Sequence, residues 1–293
     1  MIHIISPYAA VDLFYKQSGT DNESNSNHTL IKQCAGGKGI NVARVLRQLD
    51  IQARVYTILG SYNGNKIKDL CDQEDIQLKY IRSESDSRQH LIIYTIDGHI
   101  NSLKLDAPPL SQKDVKAYVE MLESTPFEGS LFVINGGLHP GLPGDFYACT
   151  MQAIQTRYPS AQFALDLNGS ALGTLLKQVD LRSIMLIKIN QQEWETWQNT
   201  PFTQARFHQS TQPLLDQGIS QFIVTREQDS VVYSRREETF CVPVQALPAQ
   251  LRLGAGDAFL GGFLYGWTHK QCPLDCIQLA TAAASRHILE SVS

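Results

Sequence analysis

The sequence lacks the features that mark membrane-spanning, nucleic-acid-binding and disordered proteins. No apolar run approaches the roughly 18 residues that a membrane-spanning helix needs, so we expect no membrane partner. It has no basic block, and 25 Lys and Arg against 29 Asp and Glu give a net charge of −4, which does not favour nucleic acid as a partner. The 293 residues are 43% hydrophobic and 18% charged. This composition is typical of a globular chain and excludes disorder, a coiled coil and collagen.

The six cysteines form no C-x-x-C pair, which predicts free thiols in a reducing compartment. Residues 1–7 have neither the basic region nor the long apolar region of a signal peptide, so we expect a cytoplasmic protein that begins with a strand. His269, Cys272 and Cys276 form the one cluster that resembles a metal site. Their spacing suits no common zinc pattern and Pro273 is typical of a helix start, so we interpret both cysteines as buried small side chains.

Short β-rich apolar runs alternate with helical patterns along the chain. Each run ends at a polar or glycine-rich segment; the runs cover residues 54–59, 131–134, 163–167, 185–189 and 222–225. Helical spacing follows in segments such as 114–123 and 203–216. This alternation predicts one α/β domain over residues 1–293, with a doubly wound, mostly parallel sheet flanked by helices. Ligands bind outside the carboxyl ends of such strands, where Asn, Gly and Asp cluster here.

Two segments break the alternation. Residues 18–28 are polar and rich in turn formers, which by itself favours a solvated loop. Residues 88–105 alternate in polarity around Asp97-Gly98, which predicts a hairpin. A hairpin inside an α/β chain is often an edge extension or a lid.

The sharpest chemical signal is Leu253-Gly254-Ala255-Gly256-Asp257, followed by helical apolar spacing. Small residues let a ligand approach the backbone, and the first amides of a helix form an anion site. Asp257 could be a helix-capping carboxylate and nothing more. A carboxylate inside an anion-binding turn is better explained as a base that accepts a proton from an incoming hydroxyl.

A second glycine-rich turn, Gly36-Gly37-Lys38-Gly39, precedes a helical pattern that begins near Ile40. It is not a Walker A loop, because the spacer is absent and Gly follows the lysine. Lys38 and Asn41 could face a polar ligand there. The alternative is a glycine turn with a surface lysine.

The two turns together resemble the two signatures of the ribokinase-like sugar kinases, the phosphofructokinase B family. Residues 135–141 (NGGLHPG), 166–172 (DLNGSAL) and 188–193 (KINQQE) resemble further motifs of its 1-phosphofructokinase and tagatose-6-phosphate kinase branch. The resemblance covers nearly the whole chain. It implies a ribokinase-like fold with a small β lid from about 13–34 and 88–106, a lid that often forms a dimer.

The resemblance also implies a role for each motif. Asp257 would be the base, and the amides of Gly254, Ala255 and Gly256 would hold the charge that develops on the transferred phosphoryl group. Asn190 and Glu193 would position Mg²⁺ through water. The sugar phosphate would contact Asp12, placed at the end of the first strand, and Gly37, Lys38, Asn41 and Arg88. The nucleotide would contact Lys188, Thr225, Arg226, Gly254 and Gly256.

These motifs predict an ATP- and Mg²⁺-dependent kinase that phosphorylates a hydroxyl of a sugar phosphate of the fructose 1-phosphate or tagatose 6-phosphate type. One departure concerns the nucleotide: the family's Ser-x-Gly-x-x-Gly segment reads Thr-Arg-Glu-Gln-Asp-Ser over residues 225–230, without glycine. Two alternatives therefore stay open. One is a non-catalytic relative that binds sugar phosphate as a sensor or partner protein, and the other is a kinase of an unphosphorylated sugar or a nucleoside.

Overall fold

The computed structural model describes residues 1–22, 25–227, 229–245, 247 and 253–292. Strands and helices alternate along most of this part of the chain. The strands are β1 (Ile2–Tyr8), β2 (Ala10–Asn22), β3 (Asn25–Gly36), β4 (Ala53–Gly60), β5 (Gln77–Ser83), β6 (Arg88–Tyr94), β7 (Ile100–Leu105), β8 (Leu131–Asn135), β9 (Gln162–Asp166), β10 (Ile184–Asn190), β11 (Phe222–Arg226), β12 (Ser230–Arg235) and β13 (Glu238–Pro243). The helices are α1 (Lys38–Gln48), α2 (Ser61–Gln73), α3 (Gln112–Ser124), α4 (Phe146–Arg157), α5 (Gly169–Leu175), α6 (Gln191–Gln198), α7 (Gln204–Asp216), α8 (Ala255–Thr268) and α9 (Pro273–Val292).

The main sheet has nine strands in the order β13-β12-β11-β10-β9-β8-β1-β4-β5. The seven strands from β11 to β5 run parallel to their neighbours. The predicted doubly wound, mostly parallel α/β fold is therefore confirmed. Sequence analysis missed the antiparallel edge strands β12 and β13.

Helices cover both faces of this sheet because its strands are apolar on both faces. Ile4 packs in a cluster with α1, α2, α8 and α9, whereas its neighbour Ile5 packs in a second cluster with α3 to α7. The two clusters place the hydrophobic core on either side of the parallel strands. The carboxyl ends of those strands are thereby held at one rim of the sheet.

A second sheet of four strands, in the order β3-β2-β6-β7, stands apart from the main sheet. The predicted hairpin is present as the antiparallel pair of β6 and β7. Within residues 18–28 the solvated-loop interpretation is wrong for the described part, because β2 and β3 pair along most of their lengths. Asp12 lies in β2 of this sheet and not at the end of the first strand.

The cysteines agree only in part with what the sequence predicts. All six cysteines have free thiols. Cys276 is buried, but Cys272 is exposed, so the interpretation of both as buried side chains is half wrong. Across the described residues, none of the helices is both long and apolar enough to cross a membrane.

Candidate active site

A cavity of about 1380 Å³ lies at the carboxyl ends of the parallel strands and extends beneath the small sheet. All the residues that sequence analysis assigned to a site line this one cavity: Asp12, Gly37, Lys38, Asn41, Arg88, Lys188, Asn190, Glu193, Thr225, Arg226, Gly254, Ala255, Gly256 and Asp257. The cavity wall includes the turn at the start of α8, a buried charge cluster, a part formed by the small sheet and a part formed by the segment without glycines.

The turn at the start of α8 is shaped for close approach of a ligand to the backbone. Gly254 caps the helix in the left-handed conformation, with φ of +79°, which glycine adopts without steric cost. The amides of the first helical turn have no partner within a helix, and they create positive potential at its amino end. A Cβ atom at Gly256 would lie 2.9 Å from Lys188 Nζ, so this ammonium group sits directly against the turn.

Asp257 follows this turn, in the first turn of α8. The residue is 6% exposed, and its Oδ2 accepts a hydrogen bond of 2.8 Å from Asn41 Nδ2. Burial raises the pKa of Asp257 to about 6, although the nearby Lys38 ammonium opposes the rise. A pKa near the working pH suits a group that must accept a proton and later release it.

Asn41 is itself held in place by Arg44 of the same helix. An Arg44 guanidinium nitrogen donates to Asn41 Oδ1 at 2.8 Å, which leaves the Asn41 amide nitrogen to donate to Asp257. Arg44 also donates to the Ala35 carbonyl and pairs with Glu74. Sequence analysis missed Arg44; its position three residues after Asn41 on a predicted helix was the only available signal.

Asp166 is the centre of a buried charge cluster that sequence analysis did not assign. Its carboxylate pairs with Lys38 Nζ at 2.9 Å and Lys188 Nζ at 3.2 Å, and Lys38 Nζ also lies 3.3 Å from Glu193 Oε1. Complete burial alone would raise the pKa of Asp166, but Lys188 and Lys38 together lower it. Lys38 is therefore not a free surface lysine, and a ligand phosphate would have to share it with two carboxylates.

Asn190 and Glu193 form a capping box at the start of α6. Glu193 N donates to Asn190 Oδ1, and Asn190 N donates to Glu193 Oε2. Amide and carboxylate oxygens are ligands that Mg²⁺ accepts, and Mg²⁺ usually keeps several waters. These two residues thus fit an ion held through water, while the described residues contain no group of three His, Cys, Asp or Glu that could hold a metal alone.

The small sheet supplies the end of the cavity that contains Asp12 and Arg88. The Asp12 carboxylate lies against Gly36, where a Cβ atom has no room, and its Oδ1 is 3.5 Å from His90 Nδ1. The Arg88 guanidinium stacks over the Tyr8 ring at 4.2 Å, and its buried Nε has no partner among the described residues. His90 was missed, since only its register opposite Asp12 brings it into the site.

The segment without glycines contributes Thr225, Arg226, Glu227, Asp229 and Ser230 to another part of the cavity wall. Arg226 Nε donates to Gln191 Oε1 at 3.0 Å, its guanidinium pairs with Asp229 at 2.6 Å, and the group lies 5.1 Å above the Phe202 ring. These partners hold the Arg226 side chain in place. Its contact with a phosphate stays a prediction. Glu227 is exposed at the cavity wall and has a φ of +39°.

Residues 7–291 match the family described as pfkB family carbohydrate kinase. The chain belongs to this family. It is thus a carbohydrate kinase, and the predicted family, enzyme class and ribokinase-like fold are confirmed.

The chain is also similar to proteins of known name along most of its length. The chain is 28% identical over 244 residues to the 1-phosphofructokinase of Bacillus subtilis (strain 168), covering 82% of this chain and 76% of that protein. It is 23% identical over 258 residues to the 1-phosphofructokinase of Escherichia coli (strain K12), covering 88% and 81%. The crystal structure of phosphofructokinase-2 from Escherichia coli in complex with fructose-6-phosphate superposes with a TM-score of 0.87 at 21% identity, covering 99% and 94%. At that identity the superposition shows the shared fold.

Proposed function

We propose that this pfkB family kinase transfers the γ-phosphoryl group of Mg²⁺–ATP to a hydroxyl of a phosphorylated ketohexose, with Asp257 as the general base. Fructose 1-phosphate is the first candidate, because the relatives described above are named 1-phosphofructokinases. Tagatose 6-phosphate is the second candidate, because residues 135–141, 166–172 and 188–193 resemble motifs of the 1-phosphofructokinase and tagatose-6-phosphate kinase branch.

One observation carries the proposal: Asp257 directly follows the glycine-rich turn that begins α8, in the first turn of that helix. A phosphoryl group held by the amides of Gly254, Ala255 and Gly256 would lie next to the Asp257 carboxylate. A hydroxyl that attacks this phosphorus would then be within reach of the carboxylate that takes its proton. Asp257 is oriented by Asn41 and has a pKa of about 6. At neutral pH it is therefore mostly ionised and able to accept a proton.

The chemistry needs one proton transfer and one displacement. Asp257 takes the proton of the sugar hydroxyl while that oxygen bonds to the γ-phosphorus and the bond from phosphorus to the bridging oxygen of ADP breaks. Such transfers depend on in-line positioning and charge neutralisation. The turn amides and the Lys188 ammonium beside Gly256 supply positive potential where negative charge develops.

Arg88 supports a substrate that already carries a phosphate. Its guanidinium lies over the Tyr8 ring, and its buried Nε has no partner among the described residues. A planar fork of donors matches phosphate oxygens. Asp12 lies in the same end of the cavity, where its carboxylate can accept hydrogen bonds from sugar hydroxyls. Gly37, Lys38 and Asn41 complete the proposed sugar-phosphate side.

Asn190 and Glu193 would hold Mg²⁺ through water molecules. When bound with the nucleotide, the ion would neutralise phosphate charge. Lys188, Thr225 and Arg226 line the cavity on the proposed nucleotide side. Lys38 pairs with Glu193 at 3.3 Å. This arrangement keeps a carboxylate near the proposed metal position without leaving it unpaired.

We also propose that the small sheet is a lid and that two copies of the chain associate through it. Its strands and connecting turn carry five exposed large apolar side chains: Leu30, Ile31, Ile96, Leu103 and Leu105. Apolar groups concentrated on one exposed sheet are typical of an interaction surface. The expected partner is a second copy.

The substrate assignment is tested by measuring ADP release from Mg²⁺–ATP with fructose 1-phosphate, tagatose 6-phosphate, fructose 6-phosphate, fructose and a nucleoside. The proposal predicts turnover only with phosphorylated ketohexoses. Turnover that is equal with fructose would favour the kinase of unphosphorylated sugars. Binding of a sugar phosphate without any ADP release would favour the non-catalytic alternative.

A further inference from the structure

We propose that His287 is a positioning residue for phosphoryl transfer, because it fixes the peptide from which the anion-binding turn begins. His287 lies on α9, and its imidazole reaches across to the carbonyl of Leu253, the residue before Gly254. The inference rests on the proposed function, since it concerns how the turn amides are aimed at the transferred group.

The contact has one chemical interpretation. His287 Nε2 lies 2.8 Å from the Leu253 carbonyl oxygen, and a carbonyl oxygen only accepts, so Nε2 carries the proton and donates. The imidazole is partly buried, and this burial lowers the pKa of His287. The side chain is therefore a neutral imidazole at neutral pH, with its proton on the nitrogen that faces Leu253.

The imidazole also packs directly on the turn. A Cβ atom at Gly254 would lie 2.7 Å from His287 Nε2 and 3.3 Å from Asn41 Nδ2. Because Gly254 has no Cβ atom, these two side chains can approach its backbone from different helices, and glycine also accepts its φ of +79° without steric cost. Asn41 of α1 bonds Asp257 beyond the turn, while His287 of α9 bonds Leu253 before it.

The turn is thus fastened at both ends by side chains from two helices. The amides between these two points are the groups proposed to hold charge in the transition state, and such donors act only when they are already aimed. Loss of the His287 bond frees the Leu253 peptide to rotate and leaves its carbonyl without this donor. Misplacement by about 1 Å can cost about 100-fold in rate.

The test compares His287→Ala, which removes the donor, with His287→Gln, whose amide nitrogen can occupy the place of Nε2. His269→Ala is the matched control, because His269 Nδ1 bonds the Tyr265 carbonyl at 2.9 Å at the far end of α8, away from the cavity. Each protein is assayed for kcat and KM with Mg²⁺–ATP and fructose 1-phosphate. Each is also titrated with ADP alone and with ADP plus aluminium fluoride, a mimic of the group in transfer.

For His287→Ala we expect kcat to fall about 10- to 100-fold with KM for both substrates changed less than about threefold. The preference for ADP with aluminium fluoride over ADP should fall by a similar factor. His287→Gln and His269→Ala should stay within about threefold of the wild type. A merely structural role would lower the folded fraction and leave this preference unchanged.

Two results would overturn the inference. One is an unchanged preference for ADP with aluminium fluoride in His287→Ala, and the other is a Gln variant as impaired as the Ala variant. Failure of the proposed function is a separate result, since the wild type itself would then show neither ADP release nor any response to aluminium fluoride.

Discussion

Asn41 Nδ2 donates a 2.8 Å hydrogen bond to Asp257 Oδ2 across 216 positions of the sequence. The bond joins the two glycine-rich turns, since Asn41 follows the first and Asp257 follows the second. Two motifs, each of which alone is only a weak indication of function, therefore form one site. Their meeting point is where the proposed base stands.

The buried Asp257 carboxylate should reduce the stability of the folded protein at neutral pH. Its pKa is raised from the ordinary 3.8 to about 6, so the folded state binds this proton more tightly than the unfolded chain. The corresponding stability is fully present below about pH 4 and is lost as the pH rises through about 6. We expect Asp257→Asn, which does not titrate, to exceed the wild type in free energy of unfolding by about 3 kcal/mol at pH 8.

That difference is measured by urea unfolding of both proteins at pH 4, 6 and 8. It should nearly vanish at pH 4. An advantage of the Asn variant that is the same at all three pH values would show that the carboxylate is not the cause.

Arg88 should distinguish phosphorylated from plain sugars. Arg88→Ala removes a bidentate donor, so KM for fructose 1-phosphate should rise about 10- to 100-fold while KM for ATP stays nearly constant. Arg82→Ala is the control, because Arg82 also stacks on a tyrosine, at 5.0 Å from the Tyr80 ring, but is not a residue of the cavity wall. Equal effects of Arg88→Ala on both substrates would count against a phosphate contact.

Glu227 should weaken ATP binding through its charge and its backbone. Glycine accepts the φ of +39° that Glu227 adopts and removes a carboxylate from the cavity wall, so Glu227→Gly should bind Mg²⁺–ATP more tightly. Asp75→Gly is the control, since Asp75 is an acidic residue with a φ of +55° outside this cavity. It should gain stability without a change in ATP affinity.

Thermal unfolding measures the Glu227 effect. ATP at about 100 times its Kd stabilises a protein by about 2.7 kcal/mol, which raises Tm by several degrees in a chain of this size. If Mg²⁺–ATP at millimolar concentration gives no rise in the wild type while a sugar phosphate does, the non-catalytic alternative is favoured.

The exposed apolar side chains of the small sheet should hold two copies together. Ile31 and Leu103 are 53% and 52% exposed, and replacing both with Lys should shift the protein from dimer to monomer by light scattering. Leu274→Lys, at a leucine of α9 that is 44% exposed, should leave the dimer intact. A wild-type monomer at micromolar concentration would contradict the proposed association.

The strands and helices could largely be predicted from the sequence, because local patterns determine them. The apolar run 131–134 became β8, and the helical pattern 203–216 became α7. The antiparallel strands β12 and β13 were missed, since edge pairing depends on partners that periodicity does not reveal. The solvated-loop interpretation of residues 18–28 is wrong in the described part for the same reason: polar residues pair in a sheet when a neighbouring strand is present.

The site could be predicted only where a residue belongs to a recognisable motif. Asp257 and Lys38 do, and both line the cavity. Asp166 stands in a quoted motif, but its role as partner of two lysines depends on tertiary structure: the pairing of β9 with β10 brings Lys188 beside it, and Lys38 reaches it from α1. His90 and His287 lie in no motif, and only tertiary contacts place them beside Asp12 and Leu253.

The central claim is that Asp257 acts as the base in phosphoryl transfer to a sugar phosphate. The most direct measurement is of kcat and KM for ADP release from Mg²⁺–ATP with fructose 1-phosphate, for wild type and Asp257→Asn, from pH 5 to 8. The account predicts that kcat/KM of the wild type falls below about pH 6, and that Asp257→Asn lowers kcat about 10²- to 10⁴-fold while it still binds fructose 1-phosphate. A folded Asp257→Asn variant that keeps near-normal turnover would contradict it.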